Sequence, residues 1–246
     1  AIATGNMHTV GLKSDGTCVA VGENYTCSVY NEDRWNRYYS LSRFKNVVAI
    51  ANNSNDSTML LMSNGKCALN GIATAGQPEH DYGDLCKDVE GWTDIVSIAF
   101  TGDCAVGIKS DGSCRVSFSN EYSSQRFNVP STWTDLIEVA VVSHAAALAL
   151  KSDGTCILTR NYNYTQKSEV MEWKDVVTIA TAGGGFMGLK ADGTCVVYAV
   201  DSNVKEAVSK WKDIIAIAGG FGFCVGLKSD GTCMLSYVAK NYFPVY

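Results

Sequence analysis

The sequence predicts an all-β fold, a six-bladed β-propeller, from three observations. A short motif occurs six times, an aromatic residue precedes most of its copies, and the copies are regularly spaced. The octapeptide GLKSDGTC at 11–18 returns unchanged at 226–233, with four variants between these two copies. Self-similarity with a period of tens of residues is typical of solenoids, propellers and arrays. The repeat therefore indicates that the chain is built from six similar structural units.

Each copy of the motif places an Asp-Gly or Asn-Gly pair between two apolar runs. This pattern predicts a β-hairpin with a two-residue primed turn, because Asn, Asp and Gly tolerate positive φ. The turn glycines are 38 to 49 residues apart, a spacing that suits about four short strands per blade. These glycines are Gly16, Gly65, Gly112, Gly154, Gly193 and Gly231.

An aromatic residue followed by an aliphatic run precedes most of the hairpins. Four repeats read Trp-x-Asp and then aliphatic residues, and Phe44 takes the place of Trp in a fifth. We expect the tryptophans to be buried between blades and the aspartates to bond backbone groups where the strand begins. The tryptophans are Trp92, Trp133, Trp173 and Trp211, and the aspartates are Asp94, Asp135, Asp175 and Asp213.

The two ends of the chain together supply a sixth copy of the aromatic step. Tyr242 to Tyr246, continued into Ala1 and Ile2, repeats the six-residue spacing between the aromatic and the aliphatic residue. Pairing of the N- and C-terminal strands would close the ring and remove exposed sheet edges. We therefore expect one propeller domain over 1–246, with the N-terminal strand completing the last blade. The repeats fall at roughly 1–43, 44–91, 92–132, 133–172, 173–210 and 211–246.

The ten cysteines raise the question of a disulfide framework. Six of them follow a turn glycine by two residues, where a strand favours a small buried residue. Rotation around a ring places these six a blade apart, beyond the roughly 7 Å Cα separation that a disulfide spans. Disulfides between Cys18 and Cys27 and between Cys67 and Cys86 remain possible. We expect most of the cysteines to be reduced core residues.

The pattern Trp-x-Asp-Ile-x-x-Ile-Ala, followed by His-Thr-Val-Gly-Leu-Lys-Ser-Asp-Gly-Thr, resembles the regulator of chromosome condensation repeat family, most closely its bacterial-type versions. The resemblance covers essentially the whole chain. That family forms β-propellers, commonly with seven blades, whereas six repeats occur here. The histidine of the repeat is present only as His8. The resemblance therefore implies a fold, and it implies guanine-nucleotide exchange only through analogy of fold.

Composition and motifs narrow the classes of function. A net charge of −5 without a dense Lys/Arg cluster argues against nucleic acid as a partner, and no apolar run is long enough to span a bilayer. The three histidines occupy different blade positions, and no nucleophile-elbow, phosphate-loop, Cys-x-x-Cys or zinc-protease motif occurs. We expect no enzyme activity, no cofactor and no metal site; a catalytic or metal-binding ring of the repeated aspartates is the alternative.

The loops between repeats contain the candidate partner-binding residues. The longest connection, residues 23–43, contains Trp35 together with several tyrosines and arginines. These residue types most often anchor interfaces, and variable loops on a rigid scaffold commonly carry recognition. Packing over blade edges is the alternative. The candidates are Tyr25, Tyr30, Arg34, Trp35, Arg37, Tyr38, Tyr39, Tyr122, Tyr162 and Tyr164.

Four Asn-x-Ser/Thr sequons, at Asn24, Asn52, Asn55 and Asn163, are candidate glycosylation sites. Asn24 and Asn163 both lie in Asn-Tyr-Thr and are the favoured positions. Used sequons would place the protein outside the cell, whereas reduced cysteines would favour an intracellular location. The sequence leaves the compartment open.

Two classes of function remain. The favoured class is a non-enzymatic binding propeller that presents variable aromatic loops to a protein or glycan partner. The alternative is a structural subunit of an extracellular fibre or surface assembly, built by self-association. Guanine-nucleotide exchange is a less favoured third possibility.

Overall fold

The computed structural model of the protein describes residues 1–5, 8–22, 41–52, 57–70, 83–101, 104–118, 133–142, 146–159, 169–182, 184–198, 200–220 and 222–237. These residues divide between two compact units, the first ending at Asp135 and the second beginning at Leu136. The assignment of the whole chain to a single domain of six repeats stays a prediction.

The first unit contains three antiparallel sheets of three strands each. In every sheet the strands lie in chain order, so that each strand pairs with the next in a meander. The strands are β1 (Ile2–Thr4), β2 (His8–Leu12), β3 (Cys18–Gly22), β4 (Val47–Asn52), β5 (Thr58–Met62), β6 (Cys67–Asn70), β7 (Ile95–Phe100), β8 (Cys104–Lys109) and β9 (Cys114–Phe118).

The second unit contains three further sheets with the same meander order. The described residues thus form six sheets, one for each repeat of the turn motif. The strands are β10 (Leu136–Val142), β11 (Ala146–Lys151), β12 (Cys156–Leu158), β13 (Val176–Ala182), β14 (Gly185–Lys190), β15 (Cys195–Tyr198), β16 (Ile214–Gly220), β17 (Phe223–Lys228) and β18 (Cys233–Tyr237).

Short helices lie between some of the sheets. A 3-10 helix spans Leu41–Arg43, α1 spans Gly83–Glu90 after β6, and α2 spans Ser202–Val208 after β15. The prediction of four strands per blade is wrong for the β13–β15 repeat. Between β15 and β16 only residue 199 lies outside the described residues, and α2 occupies this stretch.

The sequence of α2 explains why this stretch is helical. The Asp201 side chain accepts a hydrogen bond of 2.8 Å from the Asn203 N–H and so caps the first turn. Val204 and Val208, four residues apart, lie on one face of the helix and are fully buried. A capped helix with an apolar face therefore replaces the fourth strand of this blade.

The hairpin turns differ from the predicted two-residue turn. In the first, the Lys13 N–H donates to the Thr17 carbonyl (2.9 Å) and the Gly16 N–H donates to the Lys13 carbonyl (3.1 Å). The loop therefore has three residues, and Gly16 is the one with positive φ, at 76°. The other five turns share this bonding pattern. A type I turn followed by a left-handed glycine suits the Ser-Asp-Gly sequence, because only the glycine must adopt positive φ and the Asp need not.

The turn glycines join neighbouring sheets within each unit. The Gly65 carbonyl of one sheet accepts from the Ile95 N–H of the next at 3.0 Å, whereas the Asp94 carbonyl accepts from the Ser110 N–H of its own sheet at 2.8 Å. Asp94 is left-handed (φ 63°), a conformation that Asp and Asn adopt more readily than other non-glycine residues. We call the contact between a turn glycine and the first residues of the next sheet the joint. Its backbone groups connect the sheets, and the same glycine-carbonyl bond joins Gly16 to Val47, Gly154 to Val176 and Gly193 to Ile214.

The four repeat tryptophans are buried, as the sequence predicts; they are Trp92, Trp133, Trp173 and Trp211. Three of them pack against a glycine in the middle strand of a sheet: Trp92 on Gly107, Trp173 on Gly188 and Trp211 on Gly226. A β-carbon added to Gly107 would lie 2.8 Å from Trp92 Cζ3. In these three sheets the indole therefore occupies the space that a side chain on the glycine would need.

The expectation of mostly reduced cysteines is confirmed for the described residues, because all nine cysteines among them are thiols. This includes Cys67 and Cys86, so the disulfide considered for that pair is not formed, and Cys27 lies outside the described residues. Burial raises the pKa of the Cys67 thiol to about 12, which keeps it protonated at neutral pH. Four of the six repeated cysteines are buried, Cys114 is partly buried and Cys233 is exposed.

The predicted closing strand at 242–246 lies outside the described residues. The last turn glycine, Gly231, differs from those that form joints. A β-carbon added to Gly231 would meet no described atom within 4 Å, although its φ of 84° matches the other turns. Closure of the ring by the terminal strands stays a prediction.

Candidate interaction surface

Aliphatic side chains face solvent at the same position of the first strand in five of the six sheets. Each is the second residue of its strand and is 48 to 58% exposed. Single exposed aliphatic residues are ordinary on proteins, but recurrence at one position of a repeat gives each unit its own set of equivalent exposed groups. We call this set the turn-end residues: Val48 and Val96 in the first unit, and Ile137, Val177 and Ile215 in the second.

A β-bulge at the start of each of these five strands explains the exposure. In β13, Val176 pairs with Lys190 and Thr178 pairs with Leu189, which leaves Val177 without a residue opposite. The joint fixes Val176 because its N–H donates to the Gly154 carbonyl at 3.1 Å. The extra residue is displaced from the ladder. The same register shift occurs at the other turn-end residues.

The turn loops at this end of the sheets carry carboxylates that are already hydrogen-bonded. Asp192 Oδ1 accepts from the Thr194 N–H (2.9 Å) and hydroxyl (2.6 Å). These two bonds hold the pKa of the Asp192 carboxyl below its usual range, and the bond from the hydroxyl has the larger effect. Corresponding bonds involve Asp15, Asp111, Asp153 and Asp230.

Exposed lysines lie beside the turn-end residues in the second unit. Lys174 and Lys212 each precede the left-handed aspartate of a joint and stand three residues before Val177 and Ile215. Their long stems can cover apolar surface while the ammonium groups stay in water. This end of the unit thus combines exposed aliphatic groups with cations and locally bonded carboxylates, a mixture suited to contact with another protein.

A partly buried glutamate lies next to one turn-end residue. Glu138 accepts hydrogen bonds from the Thr178 hydroxyl (3.0 Å) and the Ile179 N–H (3.1 Å) on the neighbouring first strand. Burial raises the pKa of the Glu138 carboxyl, and the two hydrogen bonds oppose the rise. Glu138 therefore connects β10 with β13 through side-chain bonds that supplement the backbone joint.

The raised pKa of Glu138 predicts a pH-dependent contribution to stability. The folded protein binds this proton more tightly than the unfolded chain, so the contribution is complete below the ordinary glutamate pKa of about 4.3. It decreases as the pH rises through the raised value. We expect the free energy of unfolding of Glu138→Gln, measured by urea denaturation from pH 4 to 8, to fall less with pH than that of the wild type. Parallel curves for the two proteins would contradict this assignment.

The loop residues proposed from sequence for partner binding all lie outside the described residues. These are Tyr25, Tyr30, Arg34, Trp35, Arg37, Tyr38, Tyr39, Tyr122, Tyr162 and Tyr164. Their role stays a prediction. The turn-end residues were not identified from sequence, although each repeat shows a signal for them. Two adjacent aliphatic residues follow the joint residue, as in Asp-Val-Val and Asp-Ile-Ile, where a regular strand alternates inward and outward positions.

Of the four sequons, only Asn52 lies within the described residues. Its Nδ2, the atom that an N-glycan would occupy, donates to the Ala3 carbonyl at 2.9 Å. We expect Asn52 to be unmodified in glycopeptide mass spectrometry of natively isolated protein, with any N-glycan at Asn24 or Asn163. A glycan on Asn52 of the folded protein would contradict the position of this side chain.

The described residues contain no group of three or more His, Cys, Asp or Glu side chains that could hold a metal ion. His8 is buried, and its Nε2 lies 3.3 Å from the Thr58 hydroxyl in a contact between the first two sheets. The carboxylates repeated at the joints belong to left-handed residues that directly precede the N–H bonded to the glycine carbonyl of the neighbouring sheet. None of the described helices is long and apolar enough to cross a membrane.

Comparison with known proteins gives a fold. No protein-family profile matches the sequence, and no curated protein matches it either. Among solved structures, the CRINKLY WD40 ectodomain of the Arabidopsis thaliana receptor kinase ACR4 is 14% identical with a TM-score of 0.67, over 98% of this chain and 81% of that chain. Yeast RCC1 (Prp20) bound to Kap60 is 16% identical with a TM-score of 0.64, over 96% and 69%.

Human WBSCR16 is similar in the same way, with 14% identity and a TM-score of 0.63 over 96% of this chain and 76% of that chain. Together with the six meander sheets, these likenesses confirm the predicted fold class. The chain has the fold of an RCC1-like β-propeller of six blades. At these identities the likeness shows the fold alone.

Proposed function

We propose that the protein is a non-enzymatic binding propeller whose turn-end residues contact a protein partner. The observation that carries the proposal is the recurrence of a half-exposed β-branched residue at one bulge position in five sheets. An aliphatic surface flanked by lysines suits a protein better than a glycan, because glycans need aromatic faces and many polar groups. The aromatic loops predicted from sequence would extend recognition beyond this surface.

The fold supports this proposal as analogy. One solved structure with the same fold is yeast RCC1 bound to Kap60, and another study of the yeast protein concerns its binding to Gsp1p and histones. Propellers commonly use one end of a rigid ring of blades for such contacts. A structural subunit and a guanine-nucleotide exchange factor remain the alternatives, and no described residue favours either one.

The experiment is a quantitative affinity purification of the tagged protein from extract of its own source. The wild type is compared with Val177→Asp and Ile215→Asp, which put a carboxylate on the turn-end surface at exposed positions. We expect at least one stoichiometric protein to be retained by the wild type and reduced about tenfold or more by each variant, a loss typical of an interface anchor.

Val21→Asp is the matched control. Val21 is an exposed valine of β3, at 70% exposure, and is not a turn-end residue. The control should retain the same proteins as the wild type. Equal loss in all three variants, or no loss in any, would refute the proposed surface.

A further inference from the structure

The outer edge of β15 presents backbone groups that no neighbouring strand uses. The Lys190 N–H donates to the Thr194 carbonyl, and Gly188 pairs with Val196 in the same ladder. In an antiparallel pair, hydrogen-bonded positions alternate, so the N–H and C=O groups of Cys195 and Val197 point away from β14. Among the described residues nothing hydrogen-bonds to these outward groups. They are the donors and acceptors that an added strand would require.

The chain itself turns away from this edge. Residue 199 lies outside the described part of the chain, and Asp201 is the N-cap of α2. Helix α2 covers one face of β15, where Val204 and Val208 pack with the side chains of Cys195 and Val197. Cys195 and Val197 are only 8% and 6% exposed, so their outward backbone groups are reached through the cleft that these residues line.

A cleft of about 170 Å³ lies along this edge. Trp173, Glu169 and Val196 line one side of it, and Lys205 and Ser209 of the α2 region line the other. Lys205 Nζ bonds Glu169 Oε1 at its mouth, and both side chains are about half exposed. An exposed ion pair contributes little to the free energy of folding, so Lys205 and Glu169 can bond charged groups of a ligand instead of each other at little cost.

We propose that the β15 edge binds an extended peptide segment of a partner protein as a fourth strand. Successive side chains of a strand point to opposite faces, so neighbouring residues of the peptide would meet opposite sides of the cleft. Charge complementarity then favours a basic residue towards Glu169 and an adjacent acidic residue towards Lys205. Backbone bonds to Cys195 and Val197 supply the affinity, as in other strand-addition sites. This site is independent of the turn-end surface.

The first measurement is amide hydrogen exchange of Cys195 and Val197 by NMR on the isolated protein. An open edge predicts fast exchange at both amides, while the amide of Val196, which pairs with Gly188, exchanges slowly. Protection of Cys195 and Val197 at every protein concentration would mean that another part of this chain covers the edge. Protection that appears only at high concentration would mean that a second copy covers it. Either result would overturn the proposal.

The second measurement adds an octapeptide probe, acetyl-Thr-Val-Thr-Lys-Glu-Thr-Val-Thr-amide. We expect it to slow exchange at Cys195 and Val197 and to shift their amide signals. A peptide of the same composition, acetyl-Thr-Val-Lys-Thr-Glu-Thr-Val-Thr-amide, places both charges on one face and should bind about threefold more weakly or worse. The first peptide with N-methyl groups on alternate amides should not bind. Equal binding of all three peptides, or of none, would overturn the proposal.

Protein variants test the charged sides of the cleft. Glu169→Gln and Lys205→Gln should each reduce the difference in affinity between the first two peptides. Lys210→Gln is the control, because Lys210 forms a comparable exposed ion pair with Glu206 and is not among the residues that line the cleft. An equal effect of Lys210→Gln would show that general charge, rather than the cleft, governs binding.

Discussion

Replacing Gly65 by alanine is expected to lower the free energy of unfolding by about 2–4 kcal/mol. Gly65 has a φ of 75°, which alone costs a residue with a side chain about 1 kcal/mol. The added β-carbon would also lie 3.1 Å from the Cα and N atoms of Asp94, in a joint where the Ile95 N–H bonds the Gly65 carbonyl. Backbone atoms cannot move aside as a flexible side chain can. Thermal and urea denaturation of the purified variant measure the loss.

Gly231→Ala is the matched control for this prediction. Gly231 occupies the same turn position with a φ of 84°, but no described atom lies within 4 Å of an added β-carbon. Its variant should lose only the conformational part, about 1 kcal/mol. Equal losses at the two positions would show that the turn glycines act through local conformation and that the joint adds nothing.

Replacing Gly107 by alanine is expected to cost about 1–3 kcal/mol through overpacking. The added β-carbon would lie 2.8 and 2.9 Å from two atoms of the Trp92 indole and 3.0 Å from Ile95 Cδ1. All of these groups are buried, so relief requires rearrangement of the core. Gly188→Ala should cost less, because the corresponding distances to Trp173 and Val196 are 3.1 to 3.3 Å.

The second sheet suggests a compensating change for Gly107→Ala. There Phe44 stands in place of the tryptophan, and Leu60 occupies the position that corresponds to Gly107. Trp92→Phe should therefore destabilise the Gly107→Ala protein less than it destabilises the wild type, a coupling that a double-mutant cycle measures. Additive losses would mean that the indole and the added methyl group do not compete for space.

Much of the fold could be predicted because the repeat encodes it locally. The Ser-Asp-Gly turn, the aromatic step and the aliphatic runs indicate six hairpins and four buried tryptophans without any reference to distant contacts. The turn type was predicted wrongly because Asp-Gly fits a two-residue primed turn as well as a type I turn followed by a left-handed glycine. The bond from the Lys13 N–H to the Thr17 carbonyl and the positive φ of Gly16 alone distinguish the two.

The fourth strand was predicted from spacing alone, and spacing does not distinguish a strand from a short helix of equal residue number. The Asp201 cap and the four-residue separation of Val204 and Val208 were visible in the sequence and indicate a helix. The turn-end surface was missed for a different reason. Exposure of Val177 depends on a bulge, and the bulge depends on a hydrogen bond from the preceding sheet.

Site-specific photo-cross-linking tests the central claim most directly. Benzoylphenylalanine is placed at position 177 on the turn-end surface or at position 21 on β3, and each protein is irradiated in extract of its own source. A binding propeller that uses the turn-end residues predicts a discrete cross-linked protein from position 177 and none from position 21. Cross-links to the same protein from position 21 only, or no discrete product from position 177, would contradict it.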